Sequence, residues 1–600
     1  MNNLSYRQVE ITGGFWKNRQ DINASVTARQ VYDRFAETNR FDALNCRPEG
    51  ERDYTPHVYW DSDVAKWIEG VAYILDKGED LSLRKLARDA IDTILKHQTP
   101  EGYFNSHFQA VEPEKRFTNR DCHELYCAGH WMEAACAWQD ATGEKDFLEA
   151  MCRYADYIYQ VFLVEQWPNY ATSGHPEIEL ALVRLWLTTG NDKYRELAWF
   201  FLEQRGNNPK DRPVRDWSNL FYSQDQAPLA QQRSAEGHCV RAMYIYCAMA
   251  DAVYHGQVQY KAACDAIFED VLAHKMYITG GIGSNKLGES FAVPYYLPND
   301  EAYTETCAAI SLAMFARRLQ SLRLDSRYGD VIERVIYNGM LSGVGLEGKT
   351  FFYTNPLEID PAFYDVNPAT VTKRWRPVMQ RPDVFRCSCC PPNVVRFIAG
   401  LGDYIYGSDG DTVYVHQFME SHGQVDGCNI WQTTRYPADG AVHVKLEGEK
   451  KLALRIPGWC AEFTASAPYV LKDGYACFEA KEVTVEFHMP VTLYEADTRM
   501  QNNAGRVAVV RGPVVYCLEE ADNGKQLRSL RLPSDAEFAL EDSPFFGLPV
   551  LKTTGERRKN GRSLYRVYAG EYEKTELKFI PYYGFANRGV NELLVWVAVK

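Results

Sequence analysis

One unit recurs through the first two thirds of the chain: an amphipathic helix, a short polar turn and a second helix. Val64, Trp67, Ile68, Val71, Ala72 and Leu75 share a face at the 3.6-residue helical period, after a capping candidate at Ser62 and before Gly78. Leu83, Leu86, Ala87, Ala90, Ile91, Ile94 and Leu95 repeat the pattern, and the loop 98–103 follows. Glycine-bearing turns at 142–146, 189–193 and 255–257 continue the series, and a further hairpin runs from Ser311 through Asp325-Ser326 to Ile336. A helical hairpin cannot bury its apolar stripe alone, so stacked copies form either a solenoid or a closed toroid. Irregular spacing between the turns leaves room for long functional loops at one end. That favours the toroid, an (α/α)6 barrel.

Near Tyr406 the period changes from helical to alternating. Segments 412–416, 442–446, 452–456, 483–487, 507–510, 514–518 and 593–597 read as strands, separated by turns such as Pro457-Gly458-Trp459 and Arg511-Gly512-Pro513. The expected architecture is helical first and β second: a catalytic barrel over 1–406, a β-sandwich over 407–510 and a second, C-terminal β-sandwich over 511–600. A chain of 600 residues has the length for about two to four domains. Its aromatic content of 13% and charged content of 24% supply an ordinary core and surface. A net charge of −14 with no basic stripe argues against nucleic acid. No stretch is apolar enough for a membrane span and the N-terminus has no signal-peptide pattern, so a cytoplasmic location is expected. In such a chain sixteen cysteines read as thiols or metal ligands rather than as a disulfide framework.

The densest chemistry is the run Cys387-Ser388-Cys389-Cys390-Pro391-Pro392. Free cysteine is ordinarily a small buried hydrophobe. Three thiols in four residues followed by two prolines make poor core material, whereas vicinal thiols can share one metal, and a soft donor set suggests zinc. The run does not have the spacing of paired Cys-x-x-Cys knuckles, so a fourth ligand must come from elsewhere. Glu305-Thr306-Cys307 is the candidate: on extended backbone its carboxylate and thiol would point the same way, on a regular helix they would diverge. The stretch 279–284 is glycine-rich but lacks the Ser or Thr after Lys286 that a phosphate loop needs. Glu289, beside Gly288, is positioned as a loop carboxylate able to protonate a glycosidic oxygen. His123, His175 and His238 each stand near the start of an expected helix, where a toroid places its inner loops; His130 follows His123 by seven residues.

With these pieces in order, the chain resembles glycoside hydrolase family 127, the β-L-arabinofuranosidase family. The motifs that carry the resemblance are Gly288-Glu289, Leu297-Pro298-Asn299-Asp300, Glu305-Thr306-Cys307 and Cys387-x-Cys389-Cys390-Pro391, and the match extends from Phe15-Trp16-Lys17 to Pro581–Arg588. The resemblance implies the same barrel and two β-sandwiches. It implies one zinc ion held by Glu305, Cys307, Cys389 and Cys390, with Cys387 outside the ligand set. It further implies Cys389 as nucleophile, Glu289 as general acid/base, and sugar contacts from His123, His175, His238, Tyr353 and Gln30. Asp61 and Asp63 lie in a matching segment without a role.

The implied activity is that of a retaining exo-glycoside hydrolase, a β-L-arabinofuranosidase acting on a small oligosaccharide or glycoside. Neither nucleic acid nor a membrane is an expected partner, and a homodimer stays open. One departure matters. Ser290-Phe291-Ala292-Val293-Pro294-Tyr295-Tyr296 lacks the acidic residues expected near Pro294 and Tyr296, which opens the choice of a different furanoside or modified pentose. An epimerase-like (α/α)6 enzyme and a non-catalytic carbohydrate-binding protein are the rival classes, and metal content separates the first of them.

Overall fold

The computed structural model describes residues 1–213, 218–364, 375–383, 387–559, 563–565 and 567–600. Its helical part contains five hairpins: Trp60–Lys77 with Leu81–His97, Glu124–Thr142 with Asp146–Tyr159, Ile178–Thr189 with Asp192–Gln204, Cys239–Tyr254 with Lys261–Asp270, and Thr306–Leu322 with Ser326–Arg334. The polar residues between them act as caps. The Asp80 carboxylate accepts from the backbone N–H groups of Ser82 and Leu83, and Asp325 accepts from that of Arg327. Ser62 is not a cap. The helix starts at Trp60 behind Tyr59, and the Ser62 hydroxyl donates back to the Tyr59 carbonyl at 2.7 Å. Asp61 and Asp63 supply the negative charge that favours this helix start.

The first helix of each hairpin packs on the first helix of the next. The Trp60, Glu124, Ile178, Cys239 and Thr306 helices follow in that order, and the Cys390–Ala399 helix joins the last of them back to the first. The second helices lie outside, each against its own partner. Approach is closest where side chains are smallest: a Cβ added at Gly70 would lie 2.7 Å from Val395 and 3.0 Å from the backbone nitrogen of Arg396. Arg396 braces the same contact, with Nη1 2.7 Å from the Glu69 carboxylate and Nη2 3.0 Å from the Tyr244 hydroxyl. None of these helices is long and apolar enough to cross a membrane.

The β-rich part follows. One six-stranded sheet runs Asn2–Asn3, Tyr406–Ser408, Thr412–Val415, Lys451–Arg455, Tyr475–Phe478, Tyr469–Lys472. A second runs Phe463–Ala465, Glu482–Phe487, Ala441–Glu447, Cys428–Thr434, Ser421–Val425, Val9–Ile11. Strand alternation is regular: Val483, Val485 and Phe487 point inward while Glu482, Thr484 and Glu486 are exposed. A ten-stranded sheet contains Val491–Glu495, Arg506–Arg511, Val514–Glu519, Val550–Arg558, Tyr572–Pro581 and Trp596–Val599, and takes Glu358–Ile359 as an edge strand against Leu593–Leu594. The expected boundary at residue 510 therefore falls inside the strand Arg506–Arg511, and that sheet begins at Val491. Likewise, the segments Asn2–Asn3 and Val9–Ile11 pair within the two six-stranded sheets, although residues 1–406 are expected to be a helical unit.

The parts are tied by buried charge. Arg455, fully buried, donates to the Glu333 carboxylate at 2.7 Å, to Asp330 and to the His416 carbonyl at 2.6 Å. Tyr436 and Trp459 also donate to Glu333, at 2.6 and 3.1 Å.

Candidate active site

The prolines after the cysteine run explain its geometry. Cys389 is the N-cap and Cys390 the first residue of the helix Cys390–Ala399, with proline in the first turn, where its missing N–H costs nothing. Two thiols thus straddle a helix N-terminus, the end that favours negative charge. A second N-terminus meets them. Glu305 is the N-cap of Thr306–Leu322 with extended backbone (φ −60°, ψ 138°), and Cys307 is the second helical residue. This half-extended, half-helical junction brings the Glu305 carboxylate and the Cys307 thiol together, between the two alternatives left open by the sequence.

The four groups form one cluster. Cys307 Sγ lies 3.4 Å from Cys390 Sγ and 3.8 Å from Cys389 Sγ; Cys389 Sγ is 3.8 Å from Cys390 Sγ and 3.6 Å from Glu305 Oε1, which is 3.8 Å from Cys390 Sγ. All cysteines here are free thiols. Cys307, Cys390 and Glu305 are buried, whereas Cys389 keeps partial exposure. Glu305 Oε2 is buried without a hydrogen-bond partner, a state that costs energy unless something fills it. This group can hold a metal ion. Burial and then the charge of Cys389 push the Glu305 carboxyl well above its usual range. Burial opposes ionisation of Cys307, but hydrogen bonds from Cys389 and Cys390 outweigh it and pull the thiol down to about 6. The ammonium of Lys66, itself buried, lies 3.3 Å from the Tyr126 hydroxyl and 4.0 Å from Asp63; burial disfavours its charge, and Asp63 and the thiols of Cys389 and Cys307 restore it.

Glu289 stands beside the cluster. Its loop is closed on itself by a bridge pairing Ser290 with Asn285, and is stitched to the start of the Cys239 helix by a bridge pairing Ser290 with His238 and by the Phe291 N–H on the Gly237 carbonyl at 2.9 Å. Gly288 (φ 70°) and Glu289 (φ 51°) turn the chain in the left-handed region. The carboxylate then accepts from Tyr353 at 3.1 Å and lies 3.2 Å from His238 Nε2. Burial alone would raise the Glu289 carboxyl, yet His238, Tyr303 and the Lys286 ammonium hold it down to about 2. Glu289, His238 and Glu305 also converge within 4.8 Å.

The three histidines form a row, with ring centroids 5.6 Å apart for His123–His175 and 5.5 Å for His175–His238. Their hydrogen bonds assign the tautomers. His123 Nδ1 donates to the Asp121 carbonyl at 2.7 Å and His175 Nδ1 to the Pro176 carbonyl at 2.9 Å, which leaves each Nε2 as an acceptor. His238 Nδ1 accepts from the Arg241 backbone at 3.4 Å, so its Nε2 carries the proton that faces Glu289. Burial pushes His123 down to about 3 and lowers His175 and His238, so the row is neutral. Arg241 braces two of the loops, donating to the Gly174 carbonyl at 2.6 Å and to Asp121 at 3.2 Å.

The structure thus brings Glu305, Cys307, Cys389 and Cys390 together, places His238 and Tyr353 on Glu289, and lines up His123 and His175 beside them. Among the described residues Gln30, on the helix Ala28–Glu37, makes no hydrogen bond to any of these groups. Asp61 and Asp63 serve the scaffold: Asp61 accepts from Ser106 at 2.9 Å and Asp63 from Arg40 at 2.9 Å. His130 is buried against Glu177 at 3.0 Å. Two residues were not legible in the sequence, Tyr303 and Lys66. Tyr303 precedes Glu305 by two, the spacing that puts two side chains on one face of an extended segment; Lys66 is a lone lysine in an otherwise buried helix face.

Neutral histidines that offer acceptors, a carboxylate beside them and a thiol cluster on two helix N-termini are the equipment of an enzyme that binds hydroxyl-rich substrates. Models of the beta-L-arabinofuranosidase GH127 catalytic domain, the GH127 middle domain and the glycoside hydrolase family 127 C-terminal domain match residues 8–403, 412–486 and 491–598. A non-reducing end beta-L-arabinofuranosidase from Bifidobacterium longum is 32% identical over 98% of this chain and 99% of its own. Among solved structures, a GH127 beta-L-arabinofuranosidase from Geobacillus stearothermophilus T6 is 39% identical with a TM-score of 0.92, covering 99% of this chain and 100% of that one. A further GH127 beta-arabinofuranosidase is 31% identical with a TM-score of 0.88, covering 100% and 98%. The protein is a glycoside hydrolase. It belongs to glycoside hydrolase family 127.

Proposed function

We propose that the chain is a retaining exo-β-L-arabinofuranosidase with Cys389 as nucleophile and Glu289 as general acid/base. The closed ring of helices is the (α/α)6 barrel of this reading, the two six-stranded sheets its first β-sandwich, and the sheet from Val491 onward its second. The sugar is suggested by the names of the relatives. The nucleophile rests on one observation: of the three clustered thiols, Cys389 alone keeps partial exposure.

Zinc is the metal that suits the donors. A tetrahedron with metal–sulfur bonds of about 2.3 Å has edges of about 3.8 Å, and the sulfur–sulfur separations are 3.4 to 3.8 Å. Glu305, Cys307, Cys389 and Cys390 would hold it, and when bound it would keep Cys389 as thiolate at neutral pH. Cys389 Sγ attacks the anomeric carbon as the glycosidic C–O bond breaks. Glu289 enters this step as the protonated acid and passes its carboxyl proton to the leaving oxygen, while neutral His238 keeps its Nε2 proton and holds the carboxyl in place. Glu289 then takes a proton from water, the water oxygen bonds the anomeric carbon, and the C–S bond breaks to return the thiolate. Two inversions give net retention. His123 and His175 accept from sugar hydroxyls through Nε2, Tyr353 orients Glu289, and Gln30 completes the proposed contacts.

A second reading makes Glu305 the nucleophile, because its carboxylate lies within 4.8 Å of that of Glu289, close to the separation of about 5 Å in ordinary retaining enzymes. Its deep burial within the thiol cluster favours Cys389 instead. Metal analysis of protein purified under reducing conditions is expected to give about one zinc per chain. A panel of aryl furanosides and pyranosides, with the first-formed anomer followed by NMR, tests sugar and stereochemistry together. A zinc-free active enzyme, or an inverted first product, would overturn the mechanism.

A further inference from the structure

In the proposed reaction the group that departs must occupy the space on the Glu289 side, because that residue delivers its proton. Beside Gly288 lies a cavity of about 580 Å³, lined among others by Asn285, Lys286, Leu287, Tyr296 and Trp375. We propose that this cavity is the leaving-group subsite and that it takes a neutral sugar ring, seated with its C–H face on Trp375.

Three observations carry this. Trp375 is half-buried, its ring 5.5 Å from that of Tyr303, and Tyr303 lies near enough to Glu289 to help hold its carboxyl down. A ring resting on the indole is therefore joined to the acid by one intervening side chain. The Lys286 ammonium lies 5.1 Å from the Tyr303 ring and 5.7 Å from the Trp375 ring; it sits over aromatic faces, where a hydroxyl of the guest can reach it. Among the described residues the cavity walls bear Lys286 and Glu301, one charge of each sign, which fits an uncharged, hydroxyl-bearing guest. Leu287 and Tyr296 are exposed at its rim, at 62% and 51%. The missing acidic residue at Tyr296 thus falls in the wall around the leaving group, and bears on what the furanoside is attached to.

The inference rests on the arabinofuranosidase reading, so the test uses two substrates with one sugar: a β-L-arabinofuranosyl disaccharide, which fills the cavity, and the methyl glycoside, which does not. In the zinc-loaded enzyme Trp375→Ala is expected to lower the disaccharide-to-methyl ratio of kcat/KM about ten-fold, chiefly through KM, as loss of one apolar binding contact does. Trp375→Phe retains most of the ratio, and Tyr296→Ala, at the exposed rim, lowers it in the same direction. Equal losses on both substrates, or an unchanged ratio in both alanine variants, would overturn the subsite while leaving the hydrolase reading intact. Failure of the wild type to cleave either substrate would overturn the arabinofuranosidase reading, and the subsite with it.

Discussion

Glu289 holds a backbone conformation that a residue with a side chain enters at a cost, φ 51° beside Gly288 at 70°. His123, at φ 60°, does the same at the head of its helix. In both places the turn adds a side chain to one chain of contacts, His123 to His175, His175 to His238 and His238 to Glu289. Glu289→Gln keeps the shape and removes the proton, so steady-state kcat on disaccharides should fall about 10²- to 10⁴-fold. A nitrophenyl leaving group, which departs with little protonation, should lose less. Cys389→Ala should abolish turnover with both substrate types while circular dichroism stays native, and Cys387→Ala should retain it; robust turnover by the Cys389 variant would move the nucleophile elsewhere. The thiols and Glu289 were legible in the sequence because their chemistry is unusual wherever it occurs. Tyr303 and Lys66 were not, since a tyrosine or lysine acquires its role only from neighbours remote in sequence.

Helices carry the site by their ends. The N-termini of the Glu124, Cys239, Thr306 and Cys390 helices converge on it, so small displacements of one helix along its neighbour reach the ligands directly. Gly70 sets one such contact, against Val395 and Arg396. Gly70→Ala should cost about 1–3 kcal/mol in unfolding free energy through overpacking, and should weaken retention of the proposed zinc against a chelator because the Cys390 helix must shift; unchanged melting and unchanged metal retention would contradict it. The helical hairpins and the seven expected strand segments were visible as helical-period, alternating or continuous apolar runs; some bury one face, as Glu482–Phe487 does, and others both, as Val514–Glu519 does. Ser421–Val425 and the long pair Val550–Arg558 and Tyr572–Pro581 were not. The first reads Ser-His-Gly-Gln-Val, almost without apolar side chains; the others are rich in Lys, Arg, Glu and Thr, and owe their place to pairing across the sheet rather than to a pattern of their own.

Across the whole molecule, the joints are charged and buried. Arg455→Ala would leave Glu333 with an uncompensated buried charge, and a loss of about 3–5 kcal/mol in unfolding free energy is expected. A single calorimetric transition should describe the wild type, because the helical and β parts share this joint; two separated transitions would contradict it. His416, at the same joint, is fully buried with Nδ1 2.8 Å from the Tyr475 hydroxyl, and burial together with Arg455 lowers its pKa to about 3. A histidine depressed in the folded state binds its proton more readily when unfolded. Its contribution is therefore complete above about pH 6.5 and is lost as pH falls toward 3. At pH 5 the loss is roughly 2 kcal/mol, and His416→Gln should flatten the acid limb of the melting-temperature profile between pH 7 and 5; an identical limb would refute the assignment.

The segments Asn2–Asn3 and Val9–Ile11 find their strand partners at Gly407–Ser408 and Ser421–Gly423, roughly 400 residues later. At about 5–20 residues per second of synthesis, these edge strands wait on the order of 20–80 s at the ribosome before their partners exist. The earliest part of this stretch to be made is seated only after about four hundred further residues, and closing the two sheets over it is an event that the helical part alone cannot perform.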